Sequence, residues 1–345
     1  MNSQSLISDL ISETDLEQGT RNKEQRNKES PRPAYLRPMT RFDVTLLTDR
    51  RYHQPADPDW YAQQILDDDA LLRSALEARG LRVARTYWDD PTFDWTQTRC
   101  AVFRTTWDYF DRFPEFSAWL ERTRHLTRLI NSPEIIHWNV DKHYLGQLSD
   151  QGIRIPSTRF IEPGDQRSLL AIVEACGWSD IILKPAISGA ARHTYRLTPE
   201  SASSLEQTFR QLIAGEAMLL QEFQHRVLTD GEVSLMVIDG RYSHAVLKRA
   251  KPGDFRVQDD FGGTVHDYQA DAREIRFSEE AVSRCHPEPL YARVDIIRDN
   301  EGQICLSELE LIEPELWLRK HPPAAEAFAE GLVRTLASWD QSSPS

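Results

Sequence analysis

Alternating strands and helices early in the chain, then strands gathered into hairpins, predict an α/β domain followed by α+β lobes. Three observations carry this reading. Residues 42–47, 81–85, 100–103 and 129–131 are apolar runs of strand length, and the stretches at 67–79 and 113–126 between them are patterned as helices. Residues 233–238 and 242–248 flank Asp239-Gly240, a hairpin dipeptide. Residues 292–297 and 306–311 alternate polar with apolar side chains about the turn-forming Asp299-Asn300-Glu301-Gly302.

The first segment, 39–135, reads as a small, mostly parallel α/β domain. In its helix at 67–79, Leu71, Leu72, Ala75 and Leu76 form one stripe, and Gly80 stands just past the end. A second segment, 136–219, holds a helix at 141–148 closed by Gly152 and a strand at 155–161. A helix at 166–176 turns Leu169, Leu170, Ile172 and Val173 inward, and a buried strand at 181–185 follows it. After the small-residue loop 186–191 come a strand at 193–197 and a helix opened by Thr198-Pro199 and running to about 213. The third segment, 220–341, is rich in strands (218–223 enters it), with His244, Val246 and Lys248 on one face of 242–248. It adds a glycine-marked loop at 254–263, helices at 278–285 and 323–339, and the late hairpin. Residues 1–38 mix charged and amide side chains around one short apolar patch, the composition of a disordered tail.

The 345 residues carry a formal charge of −13 with no local basic patch, which argues against a nucleic-acid surface. Four cysteines without CxxC spacing make neither a zinc site nor a disulfide framework, and fit a reducing compartment. No apolar run reaches membrane-span length and the start of the chain lacks a signal-peptide core. A soluble, cytoplasmic protein with small-molecule partners is expected, with no membrane or nucleic-acid partner; a homodimer is compatible.

In the late hairpin, period two puts Glu308 and Glu310 on one face, and Arg293 and Asp295 together on the neighbouring strand. Such a group of carboxylates fits two readings. One is a solvated sheet face with Arg293 as counter-ion; the other is a site for a hard cation such as magnesium. Lysines stand at element ends (Lys142, Lys184, Lys248), small residues follow Lys184 (Ser188, Gly189, Ala190), and Arg256 precedes Gly262-Gly263. Together these make a triphosphate site: ammonium groups offset phosphate charge and small residues admit backbone N–H groups. No GxxxxGK[ST] run exists, which excludes a P-loop. The loop after the third strand presents Arg104, Thr105, Trp107 and Asp108 where α/β sheets bind ligands, and it fits helix capping or substrate contact equally.

In this order, the motifs from Asn131 to Pro314 resemble the ATP-grasp superfamily of carboxylate–amine ligases. Asn131-Ser132-Pro133 with Asp141-Lys142 is similar to that family's entry into its central domain, and Ile182-Leu183-Lys184-Pro185 to its second phosphate lysine. Residues 188–191 resemble its lid, and Gln221-Glu222-Phe223 its adenine hinge. Phe255-Arg256 with Gly262-Gly263 resembles the glutathione-synthetase-like segment, and VDII (294–297) with ELELIEP (308–314) its metal strands. RTTWDY, WNVDK and ELELIEP together resemble the D-cycloserine-synthetase-like branch, which closes an O-ureido-serine onto its own carboxylate.

The resemblance implies an ATP-grasp architecture, two α+β lobes enclosing ATP behind the N-terminal domain. It implies an ADP-forming C–N ligase acting through an acyl phosphate on an amino acid or related molecule, with an intramolecular cyclo-ligase included. ATP would meet Lys142, Lys184, 188–190, 221–223 and Glu232; Mg2+ would meet Asp295, Glu308 and Glu310; Arg256 and Lys248 would be catalytic. Arg104, Thr105, Trp107, Asp108, Gly262 and Gly263 would touch substrate. Glu310 stands where many relatives have asparagine, and the lid has one glycine where relatives often have several. A hydroxyl kinase on the same scaffold and a non-catalytic ATP-binding module are the alternatives.

Overall fold

The computed structural model describes residues 40–189, 192–257 and 262–341. The expected tail and Ala190 lie outside the described residues.

The first sheet contains β1 (Phe42–Thr48), β2 (Val83–Tyr87), β3 (Thr98–Thr105) and β4 (Arg128–Ile130), all parallel in the order β2-β1-β3-β4. The first long helix spans Trp60–Ala78, starting at a cap on Asp59 well before the predicted position 67. Its early turns show no apolar stripe because they bury Ala62 and Ile65 among polar residues, and Asp68 and Asp69 are buried in the turn that follows. Asp68 accepts the backbone N–H groups of Leu318 and Arg319 at 3.1 and 2.9 Å, and Asp69 pairs with Arg85 at 2.7 Å. Helix Phe113–Thr123 packs Phe116 and Trp119 into an aromatic core with Trp88, Trp95 and Phe103.

The second sheet, antiparallel, contains β5 (Thr158–Ile161), β6 (Ile181–Pro185), β7 (Tyr195–Leu197) and β8 (Met218–Glu222) in the order β5-β8-β6-β7. Helices Leu169–Cys176 and Pro199–Ile213 cover its apolar face through Leu169, Ile172, Val173, Phe209 and Ile213. A helix at Pro133–Val140, capped by Ser132, was not anticipated. It is too short to show a periodicity, and only its Ser-Pro start marks it.

The third sheet has the order β11-β10-β9-β12-β13 and is also antiparallel. Its strands are β9 (Glu232–Ile238), β10 (Arg241–Arg249), β11 (Thr264–Tyr268), β12 (Tyr291–Arg298) and β13 (Ile304–Glu310). The edge strand β11 is mostly exposed and lacks the apolar content that reveals a strand in sequence. Helix Ala272–Ser283 begins earlier than predicted because Asp271 and Glu274 form a reciprocal cap.

The outer edge of β13 is tied down by side chains. Asn139 donates to the carbonyl of Leu309 and accepts from the N–H of Leu311, at 2.8 and 2.9 Å. Asn131 donates to the carbonyls of Leu311 and Tyr291 at 2.7 and 3.0 Å, and the N–H of Leu309 donates to the Tyr144 hydroxyl at 2.9 Å. These bonds satisfy buried backbone groups that an edge strand otherwise leaves open. A one-residue slip of β13 would turn its carboxylates to the opposite face, and these bonds hold the register.

Candidate active site

Register alone assembles the acidic group. Across β12 and β13, Asp295 is opposite Glu308 and Arg293 opposite Glu310. Oxygens of Asp295, Glu308 and Glu310 all lie within 4.8 Å of one another. Asp295 is 1% exposed, which removes the solvated-face reading for this residue. Carboxylates so close are costly unless neutralised, and each has a cation. Arg293 reaches Asp295 at 2.9–3.2 Å and also pairs with Glu310. Lys248 on β10 lies between Glu232 and Asp295, at 2.5 and 3.0 Å. Lys142 stands 3.1 Å from Glu308 and donates to the carbonyl of Ser188. Ser234, beside Asp295 on β9, donates to it at 2.6 Å.

These partners set the protonation states. Burial pushes the Asp295 carboxyl up, but Arg293, Lys248 and two hydrogen bonds outweigh it and bring it to about 2. Burial likewise raises Glu308, and Lys142 with Lys184 reverses it to a net lowering. Burial and its two acidic neighbours raise Glu310 to about 7, against the opposing charges of Arg293, its ion-pair partner, and Lys248. Burial lowers the Lys184 ammonium, Glu308 opposing. No carboxylate among the described residues pairs with Lys184. The all-carboxylate donor set fits a hard, oxygen-preferring cation.

Two clefts meet at this group. The first, between the second and third sheets, is lined by Lys142, Lys184, Ser188, Gly189, Gln221, Glu222, Phe223, Glu232, Lys248 and Arg256, together with the three carboxylates. Arg256 is positioned by Asp254, which it contacts at 2.8 and 3.1 Å. The second cleft opens toward the carboxyl ends of the first sheet and shares Gly189, Lys248, Arg293 and Glu310 with the first. Its other walls include Tyr52, Tyr61, Trp107, Phe110, Glu313 and Trp317.

The residues expected to touch substrate separate here. Trp107 lines the second cleft, its indole N–H donating to the carbonyl of Glu313 at 2.9 Å. Arg104 is 1% exposed and pairs internally with Asp69; Thr105 hydrogen-bonds Thr48 at 2.6 Å. Asp108 accepts the Trp88 indole N–H at 2.7 Å and pairs with Arg112 at 3.0 Å. Arg104, Thr105 and Asp108 line neither of the two clefts and are held by these internal partners. Gly262 and Gly263 line neither cleft. Sequence reasoning took Arg293 only as a counter-ion and missed Tyr52, Tyr61, Phe110, Glu313 and Trp317. For Glu313 the signal was present, since it lies inside ELELIEP.

Residues 44–131 match the model for the N-terminal domain of D-cycloserine synthetase DcsG, and residues 141–311 match the RimK-like ATP-grasp domain. The chain is 31% identical over 285 residues to the cycloserine biosynthesis protein DcsG of Streptomyces lavendulae, covering 77% of this chain and 92% of that relative. The crystal structure of D-cycloserine synthetase DcsG superposes with a TM-score of 0.72 at 28% identity, covering 85% of this chain and 99% of that one. D-alanyl-alanine synthetase A from Vibrio cholerae shares the fold at 15% identity, with a TM-score of 0.61 over 87% of this chain and 99% of its own. The ordered lysines, the carboxylate hairpin and these matches lead to one family: the chain belongs to the ATP-grasp ligases, in the branch that joins a DcsG-type N-terminal domain to a RimK-like ATP-grasp domain.

Proposed function

We propose that this protein is an ADP-forming ligase that activates a small carboxylic acid as its acyl phosphate and joins it to nitrogen. The observation that carries this reading is the convergence of Lys142, Lys184, Arg256 and three hairpin carboxylates on one cleft, which adjoins a second cleft of small-molecule size. ATP occupies the first cleft, its base against 221–223 and its phosphates toward Lys142 and Lys184. Asp295, Glu308 and Glu310 would hold magnesium, which would offset the charge of the phosphates.

The acid lies in the second cleft with its carboxylate at the shared junction. A carboxylate oxygen attacks the γ-phosphorus and ADP departs. Arg256, Lys248 and Arg293 balance the charge that develops on the transferred group. A nitrogen, from a second molecule or from the same one, then attacks the acyl carbon, loses its proton and expels phosphate. Catalysis is positioning and electrostatics, with no side-chain nucleophile. In this reading residues 39–135 supply the substrate wall, while 136–219 and 220–341 close on ATP.

The resemblance to DcsG over both domains favours ring closure within one molecule as the finer activity. The four free cysteines suit a cytoplasmic setting, and no helix among the described residues is long and apolar enough to cross a membrane. The test is ADP release with magnesium and candidate acids in the presence of hydroxylamine. A ligase yields ADP and a hydroxamate. ADP with a phosphorylated hydroxyl and no hydroxamate would make it a kinase, and no ADP with any acid would leave a binding module. Loss of one water from a single substrate, followed by mass spectrometry, separates ring closure from condensation of two molecules.

A further inference from the structure

The Arg293 guanidinium is held by two kinds of partner. Its Nε and Nη2 donate to Asp295 at 2.9–3.2 Å, and Nη2 also reaches Glu310. Its Cζ stands over the ring of Trp317, 5.4 Å from the centre, inside the roughly 6 Å over which an aromatic face attracts a cation. The indole therefore adds an attraction that does not depend on the carboxylates.

Trp317 takes up this place at a cost. It is buried and has a left-handed backbone with φ 43°, a conformation unfavourable for a bulky side chain. The chain on either side over-determines it. The Leu316 carbonyl is bonded to the His244 ring at 2.9 Å, and Asp68 accepts the N–H groups of Leu318 and Arg319 at 3.1 and 2.9 Å. Arg319 adds a guanidinium bond to the same Asp68 at 3.1 Å and another to Gln64 at 3.0 Å. Helix Trp60–Ala78 of the N-terminal segment thus fixes the turn that carries the indole. A buried indole N–H usually has a hydrogen-bond partner. That of Trp317 has none among the described residues, so what the residue contributes is its ring rather than a donor.

We propose that Trp317 is a positioning residue for Arg293: its ring keeps the guanidinium at the junction of the clefts when Asp295 and Glu310 turn to a divalent cation. A cation held by those carboxylates would compete with Arg293 for their oxygens. The guanidinium then depends on the indole. What Arg293 does toward the transferred group rests on the ligase reading, but its seat on Trp317 does not.

The test compares the full chain with Trp317→Phe and Trp317→Leu, each with isotope-labelled arginine side chains, by NMR. The Nε–Hε signal of Arg293, assigned by its loss in Arg293→Lys, reports how fast that proton exchanges with water. With magnesium and a non-hydrolysable ATP analogue present, Trp317→Leu should speed exchange at least about tenfold, and Trp317→Phe should stay within about threefold of the parent. Without magnesium the leucine effect should be smaller, because the carboxylates then hold the guanidinium as well. In ADP release, Trp317→Leu should lower kcat about tenfold with KM for ATP within about twofold, and Trp317→Phe should recover most of kcat. Trp317→Met, apolar and without a ring, repeats the comparison if the leucine variant does not fold. Unchanged exchange in the ringless variant, an effect of equal size with and without magnesium, or a phenylalanine variant as impaired as the leucine one would overturn the proposal. Failure of the ligase reading shows instead as an absence of ADP with every acid, and it leaves the exchange result standing.

Discussion

The two clefts that meet at Arg293 and Glu310 are built in opposite ways. Lys142 and Arg256 aside, which come from loops, the charged groups of the first stand on paired strands: Lys184 on β6, Glu232 on β9, Lys248 on β10, Asp295 on β12, and Glu308 and Glu310 on β13. Their spacing is fixed by ladder register, and neighbours on one face lie within hydrogen-bond reach. In the second, the wall comes from loops and helix starts, held by single bonds such as that from the Trp107 indole to Glu313. The rigid site suits an invariant reagent, and the looser one suits a substrate that differs between relatives.

If that division holds, substitutions on the strand side should abolish chemistry with every acid, whereas those on the loop side should change which acid is used. The largest effect is expected for Lys184→Ala, a loss of about 10²–10³-fold in ADP production with the thermal melt unchanged. Equal activity in the variant would remove the lysine from the phosphate site. Glu308→Gln should lower the rate by about 10²-fold and shift half-saturation to higher magnesium; an unmoved metal titration would count against it as a ligand.

Arg293 belongs to both clefts, and Arg293→Met tests whether they are coupled. It leaves Asp295 and Glu310 without their main counter-charge, at a cost of about 3–5 kcal/mol seen in denaturant unfolding. Magnesium should recover more stability in the variant than in the parent protein, and an equal response would show that the cation and the guanidinium do not share those carboxylates.

Gly189 gives a smaller test at the seam. A Cβ there would fall 2.6 Å from Cε1 of Phe110, a residue of the N-terminal segment. Gly189→Ala should slow turnover about tenfold through displacement of this loop, and adding Phe110→Ala should restore most of it. A double variant no faster than the single would break the link.

The smallest effect concerns His244. Burial lowers it to about 4, and its ring is bonded to the Leu316 carbonyl at 2.9 Å. The unfolded chain takes up the proton near pH 6.5 and the folded chain does not. Stability is therefore full above about 6.5 and falls as pH drops toward 4, by about 1–3 kcal/mol. His244→Gln should flatten that slope in melts recorded across this range; an unaltered slope would assign it to other groups.

The same division explains what could be read from sequence. Asp295, Glu308 and Glu310 were legible because period two is local and a turn-forming tetrad fixes the hairpin. Lys184 and Lys248 were legible as strand ends. Arg104, Thr105 and Asp108 line neither cleft because the carboxyl end of a parallel strand supplies internal ties as well as ligands, and their partners Asp69, Thr48 and Trp88 are remote in sequence. Tyr52 and Tyr61 could not be found at all. No pattern within 50–61 reports that Trp107 will lie beside them. β11 and the early turns of helix Trp60–Ala78 leave little pattern because one is solvent-facing and the other buries Ala62 and Ile65 among polar residues.

The side-chain bonds along β13 have a consequence for assembly. A sheet grows by recruiting a strand onto backbone groups left open at its margin, and on the carboxylate side Asn131, Asn139 and Tyr144 already occupy them. Self-association by strand addition to the third sheet would have to proceed from β11, at the opposite margin, leaving the ligand hairpin outside any such contact.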